Sequence, residues 1–229
     1  MPVGIKLFDE TVMKLEGYTL LIYGPLGSGK SLIVRRLSEE ARRAGREVVY
    51  LALEEDPRRV RSNFKSRGVE GVKVVNYYVD SIKDPEIVQG YEILSDLRSL
   101  VTSRNPLVVL DSLNELTLKY DVNQIVQILK GLSAFMYDYR GLAVTTYNSV
   151  SQELDVSLEL VKYLFDGIIE LSVEPVPNAV IRSFRVERLK GVRVDSGWNF
   201  FTINERGEFE SVDASSILSL IRNLQGGQV

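Results

Sequence analysis

Neither cysteine nor histidine occurs among the 229 residues. Their absence removes disulfides, thiolate and imidazole metal ligands, a cysteine nucleophile and any Ser-His-Asp arrangement. Ion binding and proton transfer therefore fall to carboxylates, hydroxyls, Lys and Arg. No apolar run is long enough to span a bilayer and the N-terminus does not read as a secretion signal, so the sequence predicts a cytoplasmic protein. Excess positive charge is missing too. A net charge of -3 argues against a protein that coats nucleic acid, although local basic patches exist, among them Arg58, Arg59, Arg61, Lys65 and Arg67. Internal repeats, low-complexity tracts and linkers are lacking, which predicts one core over residues 1–211 followed by a C-terminal helix and tail over 212–229.

The composition that is present, 45% hydrophobic and 26% charged, suits a chain with one sizeable core. Strand-like runs at residues 18–23, 47–53, 72–79, 107–110 and 142–147 alternate with helical patterns. Ile33, Leu37, Ala41 and Ala44 recur at helical spacing until Gly45. A second helix runs from Asp56 to about Arg67. Asp84-Pro85 opens a long helix carrying Ile87, Tyr91, Leu94, Leu97 and Val101, and Asp121 caps another bearing Ile125, Leu129, Leu132 and Met136. This alternation predicts a parallel sheet with helices on both faces. From Ile168 onward, runs at 168–173, 180–189 and 198–203 are joined by turns, which predicts antiparallel strands extending the parallel core. Asp213, with Ile217, Leu220, Ile221 and Leu224, marks a final amphipathic helix that folds back on the core or binds a partner.

The segment Gly24-Pro25-Leu26-Gly27-Ser28-Gly29-Lys30-Ser31 fits the phosphate-binding pattern G-x-x-x-x-G-K-[ST] and lies between a strand and a helix, the context its chemistry requires. Glycines let successive amides turn toward an anion, and the helix N-terminus adds unsatisfied donors. Lys30 would reach the β and γ phosphates, and the Ser31 hydroxyl would take one position on Mg²⁺. A glycine-rich turn that only caps a helix is the bland alternative. Asp111 ends the strand 107–110 at the carboxyl edge of the sheet, where its carboxylate can hold Mg²⁺ through water. Glu54 and Glu55 follow the second strand at the same edge, pointing to different sides. One can orient a water while the other pairs nearby, unless both are simply solvated residues entering a helix.

Together these segments resemble the RecA superfamily of ATPases, most closely the stand-alone KaiC-like and archaeal RadA-paralog proteins. The likeness covers most of the chain: Gly4-Ile5, Asp9, the phosphate loop, Leu53-Glu54-Glu55, Leu110-Asp111-Ser112, Val144-Thr145-Thr146, Asp166-Gly167-Ile168-Ile169 and Arg188-Leu189-Lys190-Gly191. It implies an α/β, RecA-like three-layer sandwich that uses ATP/ADP and Mg²⁺. It further implies that Glu54 activates water with help from Glu55, that Asn148 senses the γ phosphate, and that Arg188 and Lys190 reach the nucleotide of an adjacent subunit. Strand alternation supports the last role, because Phe184, Val186, Arg188 and Lys190 should share one face. The alternative is an edge strand protected by positive charge.

Departures from the family pattern narrow the expectation. The usual Gly-Gly-Ile-Pro segment is contracted to Met13-Lys14-Leu15-Glu16-Gly17, and no upstream helical domain or polymerisation motif is present, which argues against a filament-forming recombinase. The loop 148–162 contains Glu153, Asp155 and Glu159 against Lys162, so DNA binding by the recombinase route is weak. The expected function is slow Mg²⁺-dependent ATP hydrolysis in a homo-oligomer or with a related RecA-family subunit, in an accessory or regulatory role around recombination and repair. The alternatives are a nucleotide-state-dependent module that regulates a protein partner with little hydrolysis, and a small-molecule kinase, for which no lid insertion is visible.

Overall fold

The computed structural model describes residues 3–80, 82–149, 156–176, 179–213 and 215. Strands β1 (Tyr18–Gly24), β2 (Val48–Ala52), β3 (Val72–Asn76), β4 (Val88–Gln89), β5 (Leu107–Asp111), β6 (Leu142–Asn148) and β7 (Gly167–Val176) run parallel. Strands β8 (Ala179–Leu189), β9 (Asn199–Ile203) and β10 (Phe209–Val212) continue the sheet antiparallel. The order is β10-β9-β8-β7-β1-β6-β5-β2-β3-β4, the mainly parallel sheet with an antiparallel extension that the sequence predicts.

Two apolar layers cover the sheet. On one face, α1 (Lys6–Glu10), α2 (Lys30–Arg43) and α3 (Pro57–Ser66) pack Phe8, Ile33, Leu37 and Phe64 against Leu20, Ile22, Tyr50 and Val109. On the other, α4 (Ile93–Leu100), α5 (Leu113–Lys119), α6 (Val122–Tyr139) and α7 (Val156–Lys162) cover Leu21, Val49, Val108 and Leu110. Burial on both faces is why these strands read as unbroken apolar runs. Each fully buried aliphatic side chain contributes about 1.5–3 kcal/mol. Helix starts are encoded locally. Asp56 accepts the Arg58 amide at 2.9 Å before Pro57, and Asp121 with Gln124 forms a reciprocal capping box.

Four expectations change. The long helix from Asp84 is replaced by a turn, the short strand β4 and the helix α4, whose cap is Glu92 accepting the Ser95 amide at 2.9 Å. Gly90 explains the break: it is a poor helix residue, and a side chain there would lie 2.5 Å from the Tyr77 ring. The third strand stops at Asn76, because its side-chain oxygen accepts the amides of Tyr78 and Val79 at 3.0 and 3.3 Å and turns the chain. Within the expected loop 148–162, the last seven residues form α7. Finally, β8 carries a bulge: Ile168 faces Arg188 but Ile169 faces Val186. The extra residue shifts the alternation, so Leu189 joins Phe184 and Val186 in one core layer and Arg188 leaves the face predicted for it. Strand β10 and helices α1 and α5 add elements not foreseen in the sequence. Residues 217–224 of the expected C-terminal helix lie outside the described residues.

Candidate functional site

The phosphate loop leaves β1 at Gly24, where a Cβ would meet the Leu171 carbonyl oxygen of β7 at 2.4 Å. Only glycine allows that approach. Gly29 caps α2 with φ +102°, a left-handed conformation that glycine adopts freely, beneath Ile203 of β9. Lys30, 5% exposed, donates to the carbonyls of Gly24 and Pro25, both at 2.8 Å, and lies 3.4 Å from Ser28 Oγ. Burial pulls its pKa down to about 8, against the opposing attraction of Glu54 and Asp111.

Ser31 Oγ donates to Asp111 Oδ1 at 3.2 Å, so the loop's hydroxyl and the β5 carboxylate meet. Asp111 is held from two further sides. Thr146 Oγ1 of β6 donates to Oδ1 at 2.6 Å, and the fully buried Tyr50 hydroxyl of β2 donates to Oδ2 at 2.5 Å. Burial and the neighbouring Asp111 raise the Tyr50 pKa well above its ordinary value, so its hydroxyl stays protonated and remains a donor.

The two glutamates part. Glu54 Oε2 accepts Ser112 Oγ at 2.6 Å and Asn148 Nδ2 at 2.8 Å. Asn148 is fixed in turn by Asn114, which accepts its amide at 2.7 Å and donates to its carbonyl at 3.0 Å. Glu55 turns to an ion pair with Arg35 of α2, and Arg35 also lies against the Tyr50 hydroxyl. Glu55, Arg35, Tyr50 and Asp111 thus form one chain of contacts beneath the loop. Lys30, Ser31, Glu54, Asp111 and Asn148 come together at the carboxyl edge.

Arg188 and Lys190 do not join them. Arg188 donates to the carbonyls of Lys162 and Phe165 at 3.0 and 2.6 Å, closing the end of α7. Lys190 pairs with Asp166 at 3.0 Å. Asp166 also accepts the amide and hydroxyl of Thr19 at 3.1 and 2.9 Å, so the Asp166-Gly167 segment stitches β7 to the start of β1.

Tyr50, Arg35 and Asn114 belong to no motif. The only sequence signal for Tyr50 is a hydroxyl interrupting an otherwise aliphatic strand. Asn114 sits at the start of α5, a short helix the apolar periodicity does not reveal.

A phosphate loop on the first strand, a carboxylate on β5 aligned with the loop's hydroxyl, and a glutamate beyond β2 define a RecA-like fold of the phosphate-loop ATPase class. The family model described as "ATPase: KaiC" matches residues 1–209, and the chain belongs to that family. It is 24% identical over 216 residues to the circadian clock oscillator protein KaiC of Rippkaea orientalis, covering 89% of this chain and 40% of that protein. Against the circadian clock oscillator protein KaiC of Thermosynechococcus vestitus, the identity is 22% over 235 residues, covering 97% of this chain and 43% of that protein. The chain therefore spans about two fifths of the length of these curated relatives. Among solved structures, a KaiC-like protein of the hyperthermophilic archaeon Pyrococcus horikoshii superposes with a TM-score of 0.68 at 19% identity, covering 93% of this chain and 98% of that one. That likeness is one of fold. No helix among the described residues is long and apolar enough to cross a membrane.

Proposed function

We propose that the chain binds Mg²⁺ATP and hydrolyses it slowly, at a site completed by a neighbouring copy or a related RecA-family subunit. The observation that carries this reading is the Glu54 carboxylate, anchored by Ser112 and Asn148 at the edge where Lys30, Ser31 and Asp111 converge. The hard oxygens of Ser31 and Asp111 fit Mg²⁺, which favours few protein ligands and keeps water and phosphate around it. When bound there, the ion neutralises charge on the β and γ phosphates.

In this reading the loop amides take the phosphates, and Lys30 exchanges its contacts with the Gly24 and Pro25 carbonyls for phosphate oxygens. Glu54 orients a water and accepts its proton as the water oxygen attacks the γ phosphorus. The bond to the bridging oxygen breaks, releasing ADP and phosphate. Asn148 bridges Glu54 and the γ-phosphate end of the site, so loss of that phosphate can reach the base. Glu55 acts through Arg35 and Tyr50, setting the position of Asp111. Arg188 and Lys190 serve the nucleotide of the next subunit. The named relatives lend no support to a role in recombination and repair, so that setting rests only on the RadA-paralog resemblance.

The test is Glu54→Gln. Turnover should fall by about 10²-fold or more, with ATP affinity held within a few-fold, since only the proton acceptor is removed. Unchanged turnover would show that another group activates the water. Lys30→Ala should instead abolish nucleotide binding.

A further inference from the structure

The antiparallel extension touches the phosphate loop through a polar side chain that the proposed reaction does not use. Arg182, on β8 and partly exposed, donates from Nε to the Gly27 carbonyl oxygen at 3.0 Å, across 155 residues of sequence. Among the described residues it is the only side chain from outside residues 24–31 that hydrogen-bonds the backbone of Gly24 to Gly29.

The peptide plane makes this contact directional. A trans peptide turns as a rigid unit with its carbonyl and its N–H on opposite sides, so fixing the Gly27 carbonyl also fixes the Ser28 N–H. Held outward by Arg182, the Gly27 oxygen leaves the Ser28 N–H on the far side, where it lies 3.3 Å from the Pro25 carbonyl oxygen. The same Pro25 oxygen accepts Lys30. An arriving phosphate would take over both donors, Ser28 N–H and Lys30 Nζ, while the Arg182 contact, on the other side of the plane, stays in place. Without it, glycine-flanked peptides rotate at little cost, and binding must order them.

We infer that Arg182 is a positioning residue for the nucleotide, pinning the outer side of the phosphate loop so that its inner amides are set before phosphate arrives. This rests on the reading of the loop as an ATP site.

ADP titration of the full chain, with hydrogen–deuterium exchange of the peptide spanning residues 24–31, tests it. Arg182→Ala should raise the Kd for ADP about three- to tenfold, the scale of one partly exposed charged hydrogen bond. It should also speed exchange in the nucleotide-free loop, a difference that disappears at saturating ADP. The loss should appear in KM for ATP far more than in kcat. Arg182→Lys, which can still donate to the carbonyl, should recover part of both effects and controls for folding. Wild-type affinity in Arg182→Ala overturns the inference. So does a raised Kd with unchanged exchange, which would mean that the cation only attracts phosphate through space. A wild-type chain that binds no ADP overturns the reading of the site itself, and this inference with it.

Discussion

Replacing Lys30 with methionine, close in volume but uncharged, should make the nucleotide-free protein more stable while removing its ability to hold phosphate. The ammonium is buried, and its pKa falls from 10.5 to about 8. Each unit corresponds to about 1.36 kcal/mol, so the charged form destabilises the fold by roughly 3 kcal/mol at pH 7. For a lysine depressed in the fold, the unfolded chain binds the extra proton, so stability rises with pH between the two pKa values. The destabilisation is fully present below about pH 8 and fades toward pH 10.5. At pH 9.5 only about 1.4 kcal/mol remains, so the advantage of Lys30→Met should shrink by about 2 kcal/mol between pH 7 and 9.5. Urea unfolding of both proteins at the two pH values, without nucleotide, measures this directly. A variant no more stable than wild type at pH 7, or an advantage that does not narrow by pH 9.5, refutes the claim that a buried ammonium is held against its own solvation. The same titration predicts that ADP binding to wild type weakens as pH rises past about 8.

Tyr50→Phe should destabilise the protein by about 1–3 kcal/mol, because a buried oxygen of Asp111 loses its donor; urea unfolding reads the loss, and Mg²⁺-dependent ATP affinity should weaken with it. Gly24→Ala should cost about 1–3 kcal/mol, seen as a lower Tm, since β1 and β7 must separate to admit a methyl group 2.4 Å from the Leu171 carbonyl. In Arg188→Ala, specific ATPase activity should stop rising with protein concentration. Activity that still climbs with concentration would remove Arg188 from the shared site.

The phosphate loop, Asp111 and Glu54 were legible because each follows an apolar run whose end is set by the sheet edge, so position in sequence fixes position in space. Arg188 was misplaced for the complementary reason. Alternation assigns faces only while the ladder is regular, and the shift near Ile168 and Ile169 moves Leu189 onto the face expected for Arg188. The helix expected from Asp84 failed because an i, i+3, i+4 apolar stripe does not register what a single Gly90 must fit against. The Tyr50 contact with Asp111 joins residues 61 apart in sequence. Two neighbouring parallel strands bring them together, and no local pattern encodes it.

Register also bears on the proposed in-trans role of Arg188 and Lys190. Arg188 is level with Ile168 and so with Leu21, while Lys190 sits on Asp166, which binds Thr19. At about 3.3 Å per residue, these levels lie roughly 10 and 16 Å below Gly24 along β1, toward the sheet's amino edge. The Arg188 head is engaged by two carbonyls at the end of α7. On the proposed reading, the phosphate that either cation contacts is another subunit's. To reach it, Arg188 has to give up two carbonyls and Lys190 its carboxylate. If the proposed assembly forms, it exchanges cis contacts for trans ones, and only the difference is available to speed hydrolysis. On the proposed reading, this exchange makes the isolated chain a poor ATPase even when its own phosphate loop is fully formed.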